Sequence, residues 1–100
     1  MMTSEKAIRE DAEAVAIAAL GFVAANPELM SRFLAISGIE PSMIRKAAGE
    51  PGFLAGVLDF VLAHEPTLMR FAEETGRNPA SVLAARRKLP NGDDRYEASI

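Results

Sequence analysis

Apolar residues along this chain recur three and four positions apart, in blocks cut by glycine and proline, and no block shows the strict alternation of a strand. Five of the six prolines follow Asn or Glu, in Asn26-Pro27, Glu40-Pro41, Glu50-Pro51, Glu65-Pro66 and Asn78-Pro79. Proline suits the first helical position because its missing N–H would have no intrahelical partner there, and Asn is a good cap just before it. Glu caps less well, but its charge suits the positive end of the helix dipole. Each pair therefore predicts a helix start. Ser37-Gly38, Gly49 and Thr75-Gly76 supply the stops, since glycine enters the left-handed conformation that ends a helix without a steric penalty. With Thr3 or Ser4 capping the first, the pattern predicts six helices, near 4–25, 27–37, 41–48, 52–64, 66–75 and 79–89. The expected fold class is all-α, a compact array of short helices forming one domain over 1–89. The polar, turn-rich stretch 90–100 is expected to be a flexible tail.

A repeat runs through these helices. Aligning "LGFVAANPELMSRFLAISGIEP" (20–41) with "LDFVLAHEPTLMRFAEETGRNP" (58–79) matches Leu20 with Leu58, Phe22-Val23 with Phe60-Val61, Pro27 with Pro66, Phe33 with Phe71, Gly38 with Gly76 and Pro41 with Pro79. The register needs one insertion near His64 and one deletion at Ser31. A period near 38 residues lies in the range of helical supersecondary repeats, so the chain reads as two copies of a three-helix unit, 12–48 and 51–86. Two copies are too few for an open solenoid and should close on each other.

Helical phase locates the core. On the first helix Ile8, Val15, Ala19, Phe22 and Val23 form one stripe, with Ile17, Leu20 and Ala24 on the other side. The fourth helix, "GFLAGVLDFVLAH", is apolar almost all round and should be buried on most sides. The economical arrangement sets the first and fourth helices together at the centre, with Gly21 and Gly56 allowing close approach. Leu29, Phe33 and Ile36, and Leu68, Phe71 and Ala72, then cover that centre from outside.

Composition excludes several functions. The 11 basic and 14 acidic residues give a net charge of −3, so no molecule-wide basic field attracts phosphate or anionic lipid. Without cysteine there is no disulfide and no thiolate metal site. The uncharged run from Ala14 to Ala25 is far short of the ~20 residues that cross a bilayer, and the mixed-charge start is unlike a signal peptide. A soluble cytoplasmic protein with no membrane role is expected.

Chemistry is sparse. His64 stands beside Glu65 and five residues after Asp59, which suggests a base with a carboxylate partner. The plainer expectation has His64 ending the fourth helix over its last carbonyls, with Asp59 on a narrow side of that helix together with Ala55 and Ala63. Glu10, Asp11 and Glu13 are too close in sequence to converge on a metal from one helix. No phosphate loop, His-x-x-x-His pair or nucleophile motif is present. No catalytic residue, cofactor or metal is expected, and the protein is not expected to be an enzyme.

Residues 66–89 resemble a helix-turn-helix, and 77–92 carry Arg77, Arg86, Arg87 and Lys88 with no acid. Yet Ala80, Ser81, Leu83 and Ala84, where base-reading side chains belong, offer almost nothing to a base edge. The basic cluster falls in the last helical turn, where cations interact favourably with the dipole. A corner built twice in one chain is more simply a packing device.

The run from "LGFVAANPELM" through the Gly-x-x-Pro corners and the apolar fourth helix to "SVLAARRKLP" resembles a family of small alphaproteobacterial proteins classed as a domain of unknown function, over about residues 13 to 90. That resemblance implies an all-helical cytoplasmic protein and transfers no catalytic residue, cofactor or substrate. The residues favour a small protein-interaction or regulatory module, acting on a protein partner or by self-association. Spare methionines such as Met30 and Met43 are suited to adaptable contacts. The alternative is a DNA-binding regulator using 66–89 and the four basic residues.

Overall fold

The computed structural model describes residues 5–50 and 52–90, the first six of these as backbone only. The helices are α1 (Glu5–Ala24), α2 (Pro27–Ser37), α3 (Ile44–Ala47, entered through a 3-10 turn Pro41–Met43), α4 (Phe53–Leu62), α5 (Glu65–Thr75) and α6 (Pro79–Lys88). There is no strand among the described residues, and the fold is all-α. The expected cap at Thr3 or Ser4, the Ile8 side chain, Pro51 and the tail beyond Pro90 lie outside the described residues. No single helix among those described is long and apolar enough to cross a membrane. α1 from Asp11 reaches that mark only together with α2, and the two are bent 112° apart.

Among the described residues three glycines adopt left-handed backbone. Gly38 (φ 77°) ends α2 and Gly76 (φ 69°) ends α5, as their place before Pro41 and Pro79 implies. At the second corner the Arg77 N–H reaches back to the Ala72 carbonyl at 2.9 Å, closing the helix end in the Schellman manner. The third is Gly52 (φ 87°), not Gly49. The left-handed residue sits just ahead of α4, so that helix starts at Phe53 instead of directly after Glu50. Asn78 caps α6, its side chain accepting the Ala80 N–H at 2.8 Å. Asn26 does not cap α2 in this way. Its Nδ2 donates to the Phe22 carbonyl at 2.7 Å, and its Oδ1 accepts from Arg70 Nη2 at 2.6 Å, tying the end of α1 to α5.

The core forms where α1 crosses α4 and α6. α1 buries Ala12, Ala16, Ala19, Phe22 and Val23; α4 buries Phe53, Ala55, Val57, Leu58 and Val61; α6 adds Val82 and Ala85. Alanines supply the thin face of α1 at helical spacing. Gly21 and Gly56 do not mediate close approach, since a Cβ built at either would meet nothing within 4 Å. Phe71 of α5 is fully buried and packs against Phe22 at 5.5 Å between ring centroids. On the opposite flank Phe33 of α2 makes edge contacts with Phe53 and Phe60, at 5.9 and 5.5 Å.

The two halves share the corner but not the third helix. α6 packs across α1 and α4, whereas the 3-10 turn and α3 bury no side chain fully and meet the core through the half-buried Ile44 and Ala47. Ile36, expected to cover the centre beside Leu29 and Phe33, is instead 70% exposed.

The backbone assignments predict opposite effects for two similar substitutions. Gly38→Ala places a side chain at φ 77° and should destabilise by about 1 kcal/mol. Gly21→Ala, inside α1 with free space around it, should stabilise by about 0.5–1 kcal/mol. Thermal melts read both. Equal shifts of the same sign would refute the corner geometry.

Candidate functional site

The fourth helix is nearly all apolar, so each of its sides needs a cover. α1, α5 and α6 supply three of them, and α2 reaches the remaining side mainly through Phe33. Between α2 and α4 a groove of about 680 Å³ stays open. Phe33, Ile36 and Ile39 form one wall, and Phe53 and Phe60 line the other side. Gly52, Gly56 and Ala63, small residues spaced along one face of α4, leave room for it. Over the eleven helical steps from Gly52 to Ala63 it runs roughly 16 Å, at a helical rise of about 1.5 Å per residue.

One end of the groove is polar. Arg32 and His64 line it and also an adjoining depression of about 200 Å³, formed with Asn26, Glu28, Thr67 and Arg70. Hence α2 runs away from the His64 end, and Ile36 and Ile39 lie toward the Gly52 end. Arg32 is exposed and has no ion-pair partner among the described residues. Arg70, beside it in the depression, is held by Glu74 at 3.2 Å and by Asn26, and its guanidinium lies 5.5 Å from the centre of the Phe22 ring.

His64 does not end α4. It occupies the capping position of α5, and its Nδ1 is 2.8 Å from the hydroxyl of the buried Thr67. Asp59 is exposed, as is Ala63, whereas Ala55, one turn earlier on the same side of α4, is buried in the core. The Asp59 carboxylate accepts from Arg86 Nε at 2.6 Å, joining α4 to α6. His64 and Asp59 thus have separate structural partners, although both line the groove. Asp11 is exposed, the Glu10 side chain lies outside the described residues, and no three His, Asp or Glu residues among those described converge to hold a metal ion.

The four basic residues of the helix-turn-helix reading have different surroundings. Arg77 is partly buried, with its guanidinium 6.0 Å from the centre of the Phe71 ring, and Arg86 is turned onto Asp59. Arg87 and Lys88 are exposed at the end of α6. Of the base-reading positions, Ala80 and Leu83 are exposed, while the Ser81 hydroxyl donates to the Asn78 carbonyl at 2.6 Å.

The groove is the feature that sequence reasoning missed. A signal for it existed in the spacing of Gly52, Gly56 and Ala63, small residues on one face of an otherwise bulky helix. No curated protein and no solved structure matches the chain. The model of a family described as proteins of unknown function (DUF3572) matches residues 9–92, and the chain belongs to that family.

Proposed function

We propose that this domain is a non-catalytic protein-interaction module and that the α2–α4 groove is its docking surface. The observation that carries this reading is the groove itself, an apolar trough whose wall includes Ile36 at 70% exposure. Large apolar side chains left in water beside an unfilled apolar cleft are characteristic of surfaces that are covered on binding. Met43, exposed on the 3-10 turn that follows this wall, adds an adaptable side chain nearby. The groove carries Arg32, Ser37, Asp59 and His64, of which Ser37 is hydrogen-bonded to the Leu34 carbonyl, Asp59 to Arg86 and His64 to Thr67. The proposal keeps the cytoplasmic, alphaproteobacterial setting implied by the sequence resemblance.

A photo-crosslinking residue placed at Ile36 in the native host should form a covalent adduct with protein, and the same residue at the exposed Glu73 should not. Gly56→Leu, at a position where an added Cβ meets nothing within 4 Å, should obstruct the groove and remove the Ile36 adduct while the protein stays folded by circular dichroism. Absence of any adduct at both Ile36 and Ser37 would refute a protein-docking role.

DNA binding through 66–89 is the second reading, favoured only by the exposed Arg87 and Lys88. Against it, Arg77 and Arg86 are already engaged within the domain. Two exposed cations neutralise few phosphates, and each phosphate contact changes the salt slope by about −0.9. Fluorescence anisotropy should show duplex binding only at low salt and without sequence preference. Selective submicromolar binding at physiological salt, lost when Arg86, Arg87 and Lys88 are changed to Gln, would instead establish the helix-turn-helix reading.

A further inference from the structure

We infer that residues 91–100 of this chain seat themselves in the α2–α4 groove, and that a docking protein has to displace them; the second clause rests on the reading of the groove as a protein-docking surface. The place where the chain leaves the core points there. Leu89 is buried, and Pro90 lines a depression of about 290 Å³ together with Gly49 and Leu54. Gly52 lines both that depression and the groove, so residue 91 sets out beside the Gly52 end.

The segment matches the groove in length and in pattern. Its sequence, "NGDDRYEASI", puts Tyr96, Ala98 and Ile100 at alternate positions. In extended chain these three side chains share one face, and Arg95, Glu97 and Ser99 share the other. Tyr96 comes six residues after Pro90, a reach of roughly 20 Å at about 3.3 Å per residue, which brings it over Ile36 and Ile39 at the near end. Ile100 lies roughly 13 Å further on in extended chain, against roughly 16 Å from Gly52 to Ala63, and so meets Phe60 and Ala63 at the far end. The small Ala98 passes the middle, where Phe33 stands against Phe53 and Phe60. Charge does not choose the site, since the segment carries Asp93, Asp94, Arg95 and Glu97 and the groove carries Arg32, Asp59 and His64. The contact is apolar and covers the exposed Ile36. Tethering beside the groove gives the segment an effective concentration there on the order of millimolar, so that a weak contact is well populated.

The test uses the chain's own fluorescence. Tyr96 is the only tyrosine and there is no tryptophan, so the emission of the purified full-length chain reports on this segment alone. Acrylamide should quench wild type with a constant roughly a third of that in Ile36→Asp or Gly56→Leu, as a seat occupied about two-thirds of the time gives. One substitution puts a charge on the wall and the other a side chain in the trough, and both should leave helix content unchanged by circular dichroism. Equal quenching in all three chains overturns the proposal. Protection that grows with protein concentration also overturns it, because the segment then fills the groove of another copy. Displacement is read by the Ile36 crosslinker in the native host, where changing Tyr96 and Ile100 to Ser should raise the yield of adduct with other proteins. An unchanged yield overturns the displacement. Protection of Tyr96 with no adduct to another protein from either sequence refutes the docking reading and supports the seat.

Discussion

The fold depends on surrounding α4. Ten residues, Phe53–Leu62, contain one charged side chain, Asp59, and one glycine, and the rest are apolar. A helix of this kind has no wet face of its own and is stable only where neighbours cover it. α1 meets it with a strip of alanines, so two helices pack closely with little side-chain volume between them, and α6 closes over both with Val82 and Ala85. Val57, Leu58 and Val61 are almost wholly removed from water as a result. Truncating a side chain at such a site costs several kcal/mol, about 2–5 for Leu to Ala, a large fraction of a small domain's stability.

The groove follows from the same requirement. The chain uses one corner twice, a left-handed glycine three residues before a proline, and each time the corner turns the chain out of an amphipathic helix. After Gly76 it leads into a ten-residue helix that lies across α1 and α4. After Gly38 it leads into a 3-10 turn and a four-residue helix that only half-bury Ile44 and Ala47 against the core. One flank of α4 is covered by α2, whose Phe33 makes edge contacts with both Phe53 and Phe60. Near-repetition of the sequence with unequal third helices leaves one side of the central helix partly covered.

This explains which features were legible in the sequence. Helix limits were, because proline and glycine act through the local backbone, and the six expected segments match the observed ones to within about two residues. The burial of Phe22, Val23, Leu58 and Phe71 was also legible, because helical phase decides which side chains share a face. Phase does not decide whether anything covers that face. Ile36 shares a side of α2 with the buried Leu29 and Phe33 and is nevertheless exposed. The sequence pattern puts the stop at Gly49 and Gly52 at the start of the fourth helix, whereas the left-handed residue is Gly52, a choice that depends on the backbone path between α3 and α4. The Asp59–Arg86 contact joins residues 27 apart in sequence, and no local spacing rule relates them.

That contact also bears on the stretch most suggestive of nucleic acid. Three successive basic residues end α6, but a helix that buries Val82 and Ala85 against the core points its neighbouring positions along fixed directions, about 100° apart. Arg86 follows Ala85 and is carried back toward α4, where Asp59 accepts it; Arg87 and Lys88 fall on the outer side. Arg77 lies against Phe71 because the left-handed turn at Gly76 folds it back over the end of α5. The apparent basic cluster is therefore divided by the same packing that seals α4. Part of its charge stabilises the corner, and the exposed apolar surface lies elsewhere, in the groove beside α2.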